Sequence, residues 1–163
     1  MDTFEEKKKK KFTPAQAILK AEAYCAYQER CQQEVRDKLY EWGLFPDAVE
    51  SIIAKLISDN FLNEERFAKA YAGGKFRIKK WGRIKIKLEL KKRKISDYCI
   101  KQAMKEINED AYTETLKQLI EKKSKDIKGG KAHIRDLKIA NYIASRGFEN
   151  DLIWDAIKNV KDF

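Results

Sequence analysis

Apolar residues recur along the chain in three windows that align with one another without a gap. In matching order the windows hold Val35, Leu39, Leu44 and Val49, then Ile86, Leu90, Ile95 and Ile100, then Ile139, Ile143, Phe148 and Ile153. The second window follows the first by 51 residues, and the third follows the second by 53. Repeats of this length are typical of stacked supersecondary units, which bury their apolar faces against one another.

The spacing inside each window predicts helices. Apolar positions are mostly three and four residues apart, which places them on one face of a helix. Gly43 and Gly147 stand where one helix should end, because glycine adopts the left-handed conformation cheaply. A further helix completes each unit upstream, and we expect these first helices over residues 14–30, 64–80 and 110–128.

The repeat therefore predicts an all-α fold of three tandem three-helix, helix-turn-helix-like repeats that form an elongated, curved array. The expected divisions are a disordered basic N-terminal tail and three helical repeats, over residues 1–12, 13–60, 61–109 and 110–163. One segment resembles a strand, because apolar and polar residues alternate strictly from Ile84 to Leu90. Its counterparts do not alternate, and a lone strand would leave its backbone groups without partners. We therefore predict a helix there.

Charge adds to this picture because it is concentrated in one repeat. The chain has 36 Lys and Arg against 26 Asp and Glu, a formal net charge of +10. Residues 75–105 hold thirteen of the basic side chains and only two acidic ones, Glu89 and Asp97. A local excess of this kind indicates a polyanionic partner, usually nucleic acid, although a solvated helix face is the plainer alternative.

A row of cations stands out within this basic block. Arg83, Lys87 and Lys91 follow one another at four-residue steps and span about 12 Å of helix, which is comparable to several phosphate spacings. Lys94 lies on the same side, and the preceding helix ends in further cations. The predicted DNA- or filament-binding set is Arg77, Lys79, Lys80, Arg83, Lys87, Lys91 and Lys94. No motif for base readout accompanies it, so we expect phosphate contacts that do not read sequence.

The residues that enzymes and cofactors require do not occur in usable patterns. His133 is the single histidine, and no serine stands in a G-x-S-x-G setting. Two Gly-Gly-Lys triplets lack the other positions of a phosphate-binding Walker loop. Cys25, Cys31 and Cys99 are odd in number and lack C-x-x-C spacing, which argues against a disulfide framework or a zinc site. We therefore predict no catalysis, no cofactor and no metal.

The apolar runs and the N-terminus bear on location. No run approaches the ~20 residues that span a bilayer, and the N-terminal residues lack the apolar core of a secretory signal. We therefore expect no membrane contact and a cytoplasmic location. The lysine run from Lys7 to Lys11 is expected to belong to the disordered tail.

The tryptophans have different expected roles. Trp154 stands between Ile153 and Ile157 in a core-rich helix and should pack in the core. Trp81 lies beside the basic block and is the tryptophan that we consider for an interface.

Two stretches resemble the signatures of a known family. The middle signature of RecX proteins is similar to Leu62-Asn63-Glu64-Glu65-Arg66-Phe67-Ala68, then Ala70-Tyr71, then Gly82-Arg83-Ile84 and Leu90. The C-terminal signature is similar to Tyr142-Ile143-Ala144-Ser145-Arg146-Gly147-Phe148, followed by Asp151, Ile153 and Ala156. The resemblance covers about residues 15–160, and it departs at Lys94, where the family usually has glycine.

The resemblance implies a regulatory protein without a cofactor, and we expect it to be a monomer. It implies that the chain lies in the groove of a RecA–DNA filament and modulates RecA recombinase and ATPase activity, in the direction of inhibition, during recombination, DNA repair and the SOS response. Two other functions stay open from the residues. One is a sequence-nonspecific DNA-binding protein that acts without RecA, and the other is a helical adaptor whose basic face meets an acidic protein. The net charge favours filament regulation and nonspecific DNA binding over the adaptor function. Only the family signatures favour filament regulation over nonspecific DNA binding.

Overall fold

The computed structural model describes residues 11–161, and this part of the chain is entirely helical between its turns, with no strand. In chain order the helices are α1 Pro14–Tyr27, α2 Gln32–Glu41, α3 Pro46–Ser58, α4 Glu64–Lys79, α5 Arg83–Lys92, α6 Asp97–Met104, α7 Glu109–Asp126, α8 Ala132–Ser145 and α9 Asn150–Lys161. The all-α prediction is confirmed, and the alternating segment from Ile84 to Leu90 is helical. The predicted tail lies outside the described residues, apart from Lys11 and Phe12.

The same turn ends the second helix of each repeat. Gly43, Lys94 and Gly147 all have a left-handed backbone, with φ of 84°, 59° and 96°. In the first turn the Leu44 N–H donates to the Leu39 carbonyl over 3.2 Å, and Ile95 N–H repeats this with Leu90. These are the bonds of a Schellman motif. Lys94 therefore keeps the turn without glycine, at a cost of about 1–2 kcal/mol for a left-handed side-chain-bearing residue.

The chain divides into two compact units, and the boundary between Phe67 and Ala68 falls inside α4. The core of the first unit contains the buried residues Ala17, Ala21, Cys25, Val35, Leu39, Leu44, Val49, Ile52, Ile53, Leu56 and Leu62. Repeat-matched positions therefore supply much of this core. The repeat boundaries expected near residues 60 and 109 stay predictions.

Arg66 of the middle signature has a structural role in the first unit. Its Nε donates to the Glu29 carboxylate, and its Nη2 donates to the carbonyls of Asn60 and Phe61 over 3.1 and 3.3 Å. Asn60 has a left-handed φ of 62°. Arg66 thus holds the turn between α3 and α4 through backbone oxygens that no helix satisfies.

Three aromatic rings pack in series within the second unit. The Phe76 and Tyr112 centroids are 5.8 Å apart, and the Tyr112 and Phe148 centroids are 5.0 Å apart. All three residues are buried, and they come from α4, α7 and the turn before α9. Burial of rings of this size contributes strongly to a core.

The segment that joins α4 to α5 is interlocked with the turn that joins α8 to α9. The Gly82 N–H donates to the Arg146 carbonyl over 2.8 Å, and the Ile84 N–H donates to the Gly147 carbonyl over 2.9 Å. In return, the Arg146 guanidinium donates to the carbonyl of Lys79, the last residue of α4. Each helix end therefore satisfies backbone groups that the other leaves open. We call this contact the interlock.

Glycine is required on both sides of the interlock. A Cβ on Gly82 would lie 2.3 Å from the Gly147 carbonyl carbon, and a Cβ on Gly147 would lie 2.3 Å from the Lys85 Cβ. Both glycines belong to the stretches that resemble family signatures. The two stretches, about 60 residues apart in sequence, therefore meet at one backbone contact.

The core prediction for Trp154 is wrong. Trp154 is half-buried, whereas its neighbours Ile153 and Ile157 are buried. Ile153 and Ile157 lie one turn apart on the inner face of α9, and Trp154 is rotated about 100° away from Ile153. The prediction assigned Trp154 to the core because its sequence neighbours are core residues, but it lies on a different face of the helix.

Alanine substitutions at two glycines should have opposite effects on stability. Gly82→Ala should lower the free energy of unfolding by at least ~2 kcal/mol, because the new methyl group collides with backbone and separates the interlock. Gly74→Ala should raise it by about 0.5–1 kcal/mol, because Gly74 lies inside α4 and its Cβ would meet no atom within 4 Å. Urea denaturation of both variants measures the difference. Equal stability of Gly82→Ala and the parent chain would contradict the close backbone contact.

Candidate nucleic-acid interface

Most of the predicted binding set lies exposed on the second unit. Lys87 and Lys91 project from α5 one turn apart, about 6 Å along the axis, and Lys94 occupies the turn that ends α5. Exposed positions at the end of α4 hold Arg77, Lys79 and Lys80. We call Lys87, Lys91 and Lys94 the lysine row.

Arg83 does not share this free exposure. Its side chain is 20% exposed, and its Nη1 and Nη2 each lie 2.7 Å from a carboxylate oxygen, that of Glu109 and Glu149 respectively. Its guanidinium also lies over the Tyr112 ring, 4.0 Å from the centroid. These contacts pair the charge of Arg83 with side chains of the second unit. The structure therefore places Arg83 in the packing of the second unit and leaves the lysine row as the predicted phosphate-binding part of α5.

Tyr112 and Glu149 complete this network. The Tyr112 hydroxyl donates to the Glu149 carboxylate and accepts the Arg83 backbone N–H over 3.1 Å. Burial raises the pKa of Tyr112 well above its usual value, and the Glu149 carboxylate raises it further. Burial by itself would lower the pKa of Arg83, but the hydrogen bond and charge of Glu149 outweigh it and the net shift is upward. Both groups therefore keep their protons throughout the physiological range.

Aromatic faces hold three more cations of the basic block. The Lys75 Nζ lies 5.4 Å from the Tyr71 centroid and 4.9 Å from the Trp81 centroid. Lys85 approaches the Trp81 ring to 4.4 Å, and the Arg93 guanidinium approaches the Tyr71 ring to 4.8 Å. Such contacts are worth about 0.5–1 kcal/mol each at exposed sites. Trp81, the tryptophan considered for an interface, is half-buried and contacts these lysines.

The structure thus divides the thirteen cations of residues 75–105 into two groups. Five have partners in ion pairs or on aromatic rings: Lys75, Arg83, Lys85, Lys92 and Arg93. The other eight form no ion pair with residues 11–161: Arg77, Lys79, Lys80, Lys87, Lys91, Lys94, Lys101 and Lys105. The predicted binding set did not include Lys101 and Lys105, which lie one turn apart at and just beyond the end of α6.

The other candidate groups have ordinary surroundings. Cys25, Cys31 and Cys99 are buried and form no disulfide with one another, and burial raises the pKa of the Cys25 thiol to about 11. His133 is exposed in the first turn of α8. Residues 11–161 contain no cluster of His, Cys, Asp and Glu side chains that could hold a metal ion. None of the helices in that range combines the length and the apolar content that spanning a bilayer requires.

Family models match both of the first two repeats. The model described as the first three-helix domain of RecX matches residues 17–56, and the model of the second three-helix domain matches residues 63–104. Together they match half of the chain. The chain belongs to the RecX family. The assignment made from the sequence signatures is thereby confirmed.

Relatives and solved structures agree with this assignment. The "Regulatory protein RecX" of Bacillus cereus strain B4264 is 26% identical over 146 residues, which are 90% of this chain and 54% of the relative. The protein of the same name from Bacillus anthracis strain A0248 gives the same figures. The chain therefore spans about half the length of the curated relatives it matches.

The structural matches are more complete. The crystal structure of RecX from Lactobacillus salivarius superposes with a TM-score of 0.81 at 26% identity, over 92% of this chain and 97% of that one. A second structure, titled as regulatory protein RecX, has a TM-score of 0.79 at 22% identity, over 87% of this chain and 71% of that one, and shows the likeness of fold alone. The helical-repeat fold class is confirmed.

Loss of Arg83 should affect stability. Arg83→Gln should lower the free energy of unfolding by about 2 kcal/mol, because it removes charged hydrogen bonds and leaves Glu149 half-buried without its cation. Lys87→Gln, four residues further along the same helix, should change it by less than ~0.5 kcal/mol. Parallel urea titrations compare the two. A larger effect of Lys87→Gln would reverse the roles given to these residues.

Charge reversal of the lysine row should weaken binding to DNA of any sequence. Lys87→Glu, Lys91→Glu and Lys94→Glu combined should flatten the dependence of log K on log salt by about 0.9 for each duplex phosphate that the variant no longer neutralises. Fluorescence anisotropy with labelled duplex at several salt concentrations measures this slope. The matched control reverses Lys117, Lys122 and Lys125, which are exposed on α7. If the slope flattens equally in both triple variants, net charge and not the lysine row determines binding.

Proposed function

We propose that this RecX-family chain binds RecA–DNA filaments and modulates RecA recombinase and ATPase activity in recombination and DNA repair, in the direction of inhibition. The observation that carries the proposal is membership of the RecX family, which both family models support. We further propose that the chain acts as a monomer in the cytoplasm, without a cofactor. The direction of the effect comes from the family resemblance.

The charge of the second unit supports binding to a RecA–DNA filament over binding to DNA alone or to RecA alone. Phosphate contacts from the lysine row and from Arg77, Lys79 and Lys80 give attraction without sequence preference, and such attraction is weak at physiological salt. A filament offers protein surface and DNA together. If helical repeats contact the protein while lysines contact phosphate, the second contact forms at a high effective concentration and the affinity rises well above either alone.

A second candidate function is sequence-nonspecific DNA binding without RecA. The observation in its favour is that the eight cations without an ion pair to the described residues lie on one stretch of 29 residues, from Arg77 to Lys105, and require only a polyanion. The two candidates differ in what they predict for bare DNA. A protein that only binds DNA should bind bare DNA at least as tightly as it binds the filament.

The test compares three binding partners and one activity. The chain is titrated against bare single-stranded DNA, RecA alone and the nucleotide-bound RecA–DNA filament, and RecA's DNA-dependent ATP hydrolysis is followed in the same titration. We expect the tightest binding to the filament and slower hydrolysis as the chain is added. The lysine-row triple variant should act only at higher concentration, and the α7 triple variant should act like the parent chain.

Two results would count against the proposal. If bare DNA competes as well as the filament and hydrolysis is unchanged at saturation, nonspecific DNA binding replaces it. If the filament binds but hydrolysis and strand exchange both stay unchanged, binding without regulation replaces it.

A further inference from the structure

The second unit has a groove with basic walls and an aliphatic floor. It lies between α5, α6 and the start of α7 and has a volume of about 780 Å³. Lys87 on one wall faces Lys101 and Lys105 on the other, and Ile84, Met104 and Ile107 supply the apolar surface. None of the three lysines forms an ion pair with the described residues.

The first repeat has an ion pair at the positions that correspond to Lys87 and Lys101 of the two walls. There, Arg36 of α2 donates from Nε and Nη2 to Glu50 of α3, over 2.8 and 3.2 Å. The 51-residue offset of the repeat converts Arg36 into Lys87 and Glu50 into Lys101. An ion pair of the first repeat is therefore replaced by two like charges in the second, where Lys101 stands in place of the carboxylate.

The floor of the groove also differs from its counterparts. Met104 occupies the repeat position that Ile53 and Ile157 fill elsewhere, and those two isoleucines are 3% and 4% exposed. Met104 is only half-buried, and Ile84 beside it is 45% exposed. Methionine adapts its shape readily to different apolar partners. The second repeat thus presents apolar surface beside these lysines.

We propose that this groove binds an acidic peptide segment of a partner protein, with one carboxylate between Lys87 and Lys101 and an aliphatic side chain on Ile84 and Met104. Lys105 attracts a second acidic residue one helical turn along the same wall. The carboxylate restores the charge pairing that the first repeat makes internally. This inference does not depend on RecA binding, and it shares only Lys87 with the lysine row.

A peptide fits this groove better than a nucleic acid does. Glu109, whose side chain is 76% exposed, and Glu149 line one end of the groove and share the single cation of Arg83, so that one negative charge remains there. A nucleic acid strand carries a charge at every phosphate and would meet these carboxylates, whereas a peptide can place neutral residues there. Bases also stack on aromatic rings in single-strand sites, and the apolar lining here is aliphatic.

The test uses a fluorescein-labelled twelve-residue peptide of alternating Glu-Asp pairs and leucines. A control peptide replaces each leucine by serine, and an unlabelled twelve-nucleotide oligo-dT serves as competitor. We expect the leucine peptide to bind one site per chain, and the serine peptide to bind at least fivefold more weakly. Oligo-dT should displace the peptide at least tenfold less effectively than unlabelled peptide does.

Four protein forms distinguish the groove from general positive charge. Lys101→Glu supplies the charge arrangement of the first repeat, so it should keep its thermal stability and weaken peptide binding at least tenfold. Ile84→Ser should weaken binding about fivefold. The double variant Lys91→Glu and Lys94→Glu, which lies outside the groove, should stay within twofold of the parent chain. Thermal melts of all four forms confirm that each is folded.

Three results would overturn the inference. Absence of peptide binding at millimolar concentration removes the site. Equal weakening by Lys101→Glu and by the double variant shows attraction to net charge alone. Displacement by oligo-dT as effective as by peptide, with the same sensitivity to Lys101→Glu, makes the groove a nucleic-acid site instead.

Discussion

The second unit depends on the close backbone approach of Gly82 to Gly147. At this point the N–H groups of Gly82 and Ile84, at the start of α5, donate to the carbonyls of Arg146 and Gly147, just after α8. A side chain on either glycine would separate the two backbones. Because Arg83 follows Gly82 and Glu149 lies two residues after Gly147, the same approach brings their charges together and buries the Tyr112 hydroxyl between them.

This contact also determines which cations are available to a partner. It withdraws Arg83 from the basic block, while aromatic faces hold Lys75, Lys85 and Arg93. The remaining cations contribute to two proposed binding surfaces, the lysine row and the groove. The lysine row suits a phosphate backbone because its three exposed lysines form no ion pair with residues 11–161. The groove suits an alternation of acidic and aliphatic groups because its lysines border apolar surface and its end carries two glutamates.

The family signatures contribute mainly to the architecture. Gly82, Arg146 and Gly147 form the interlock, and Arg66 holds the turn between α3 and α4. The lysines that we propose for binding, such as Lys91, lie outside these contacts on exposed surface. Similarity at the signatures therefore identifies the family and the fold, and differences in partner affinity within the family are expected from exposed positions that the signatures do not cover.

Sequence alone determined the helices, their turns and much of the core, because these follow from local rules. Apolar spacings of three and four residues and the left-handed positions at Gly43 and Gly147 can be counted along the chain. Tertiary structure decided the partners of Arg83, which lie 26 and 66 residues away. It also decided the partial exposure of Trp154 and the groove beside Lys101. Helix packing brings distant residues together, and one-dimensional spacing does not specify which ones meet.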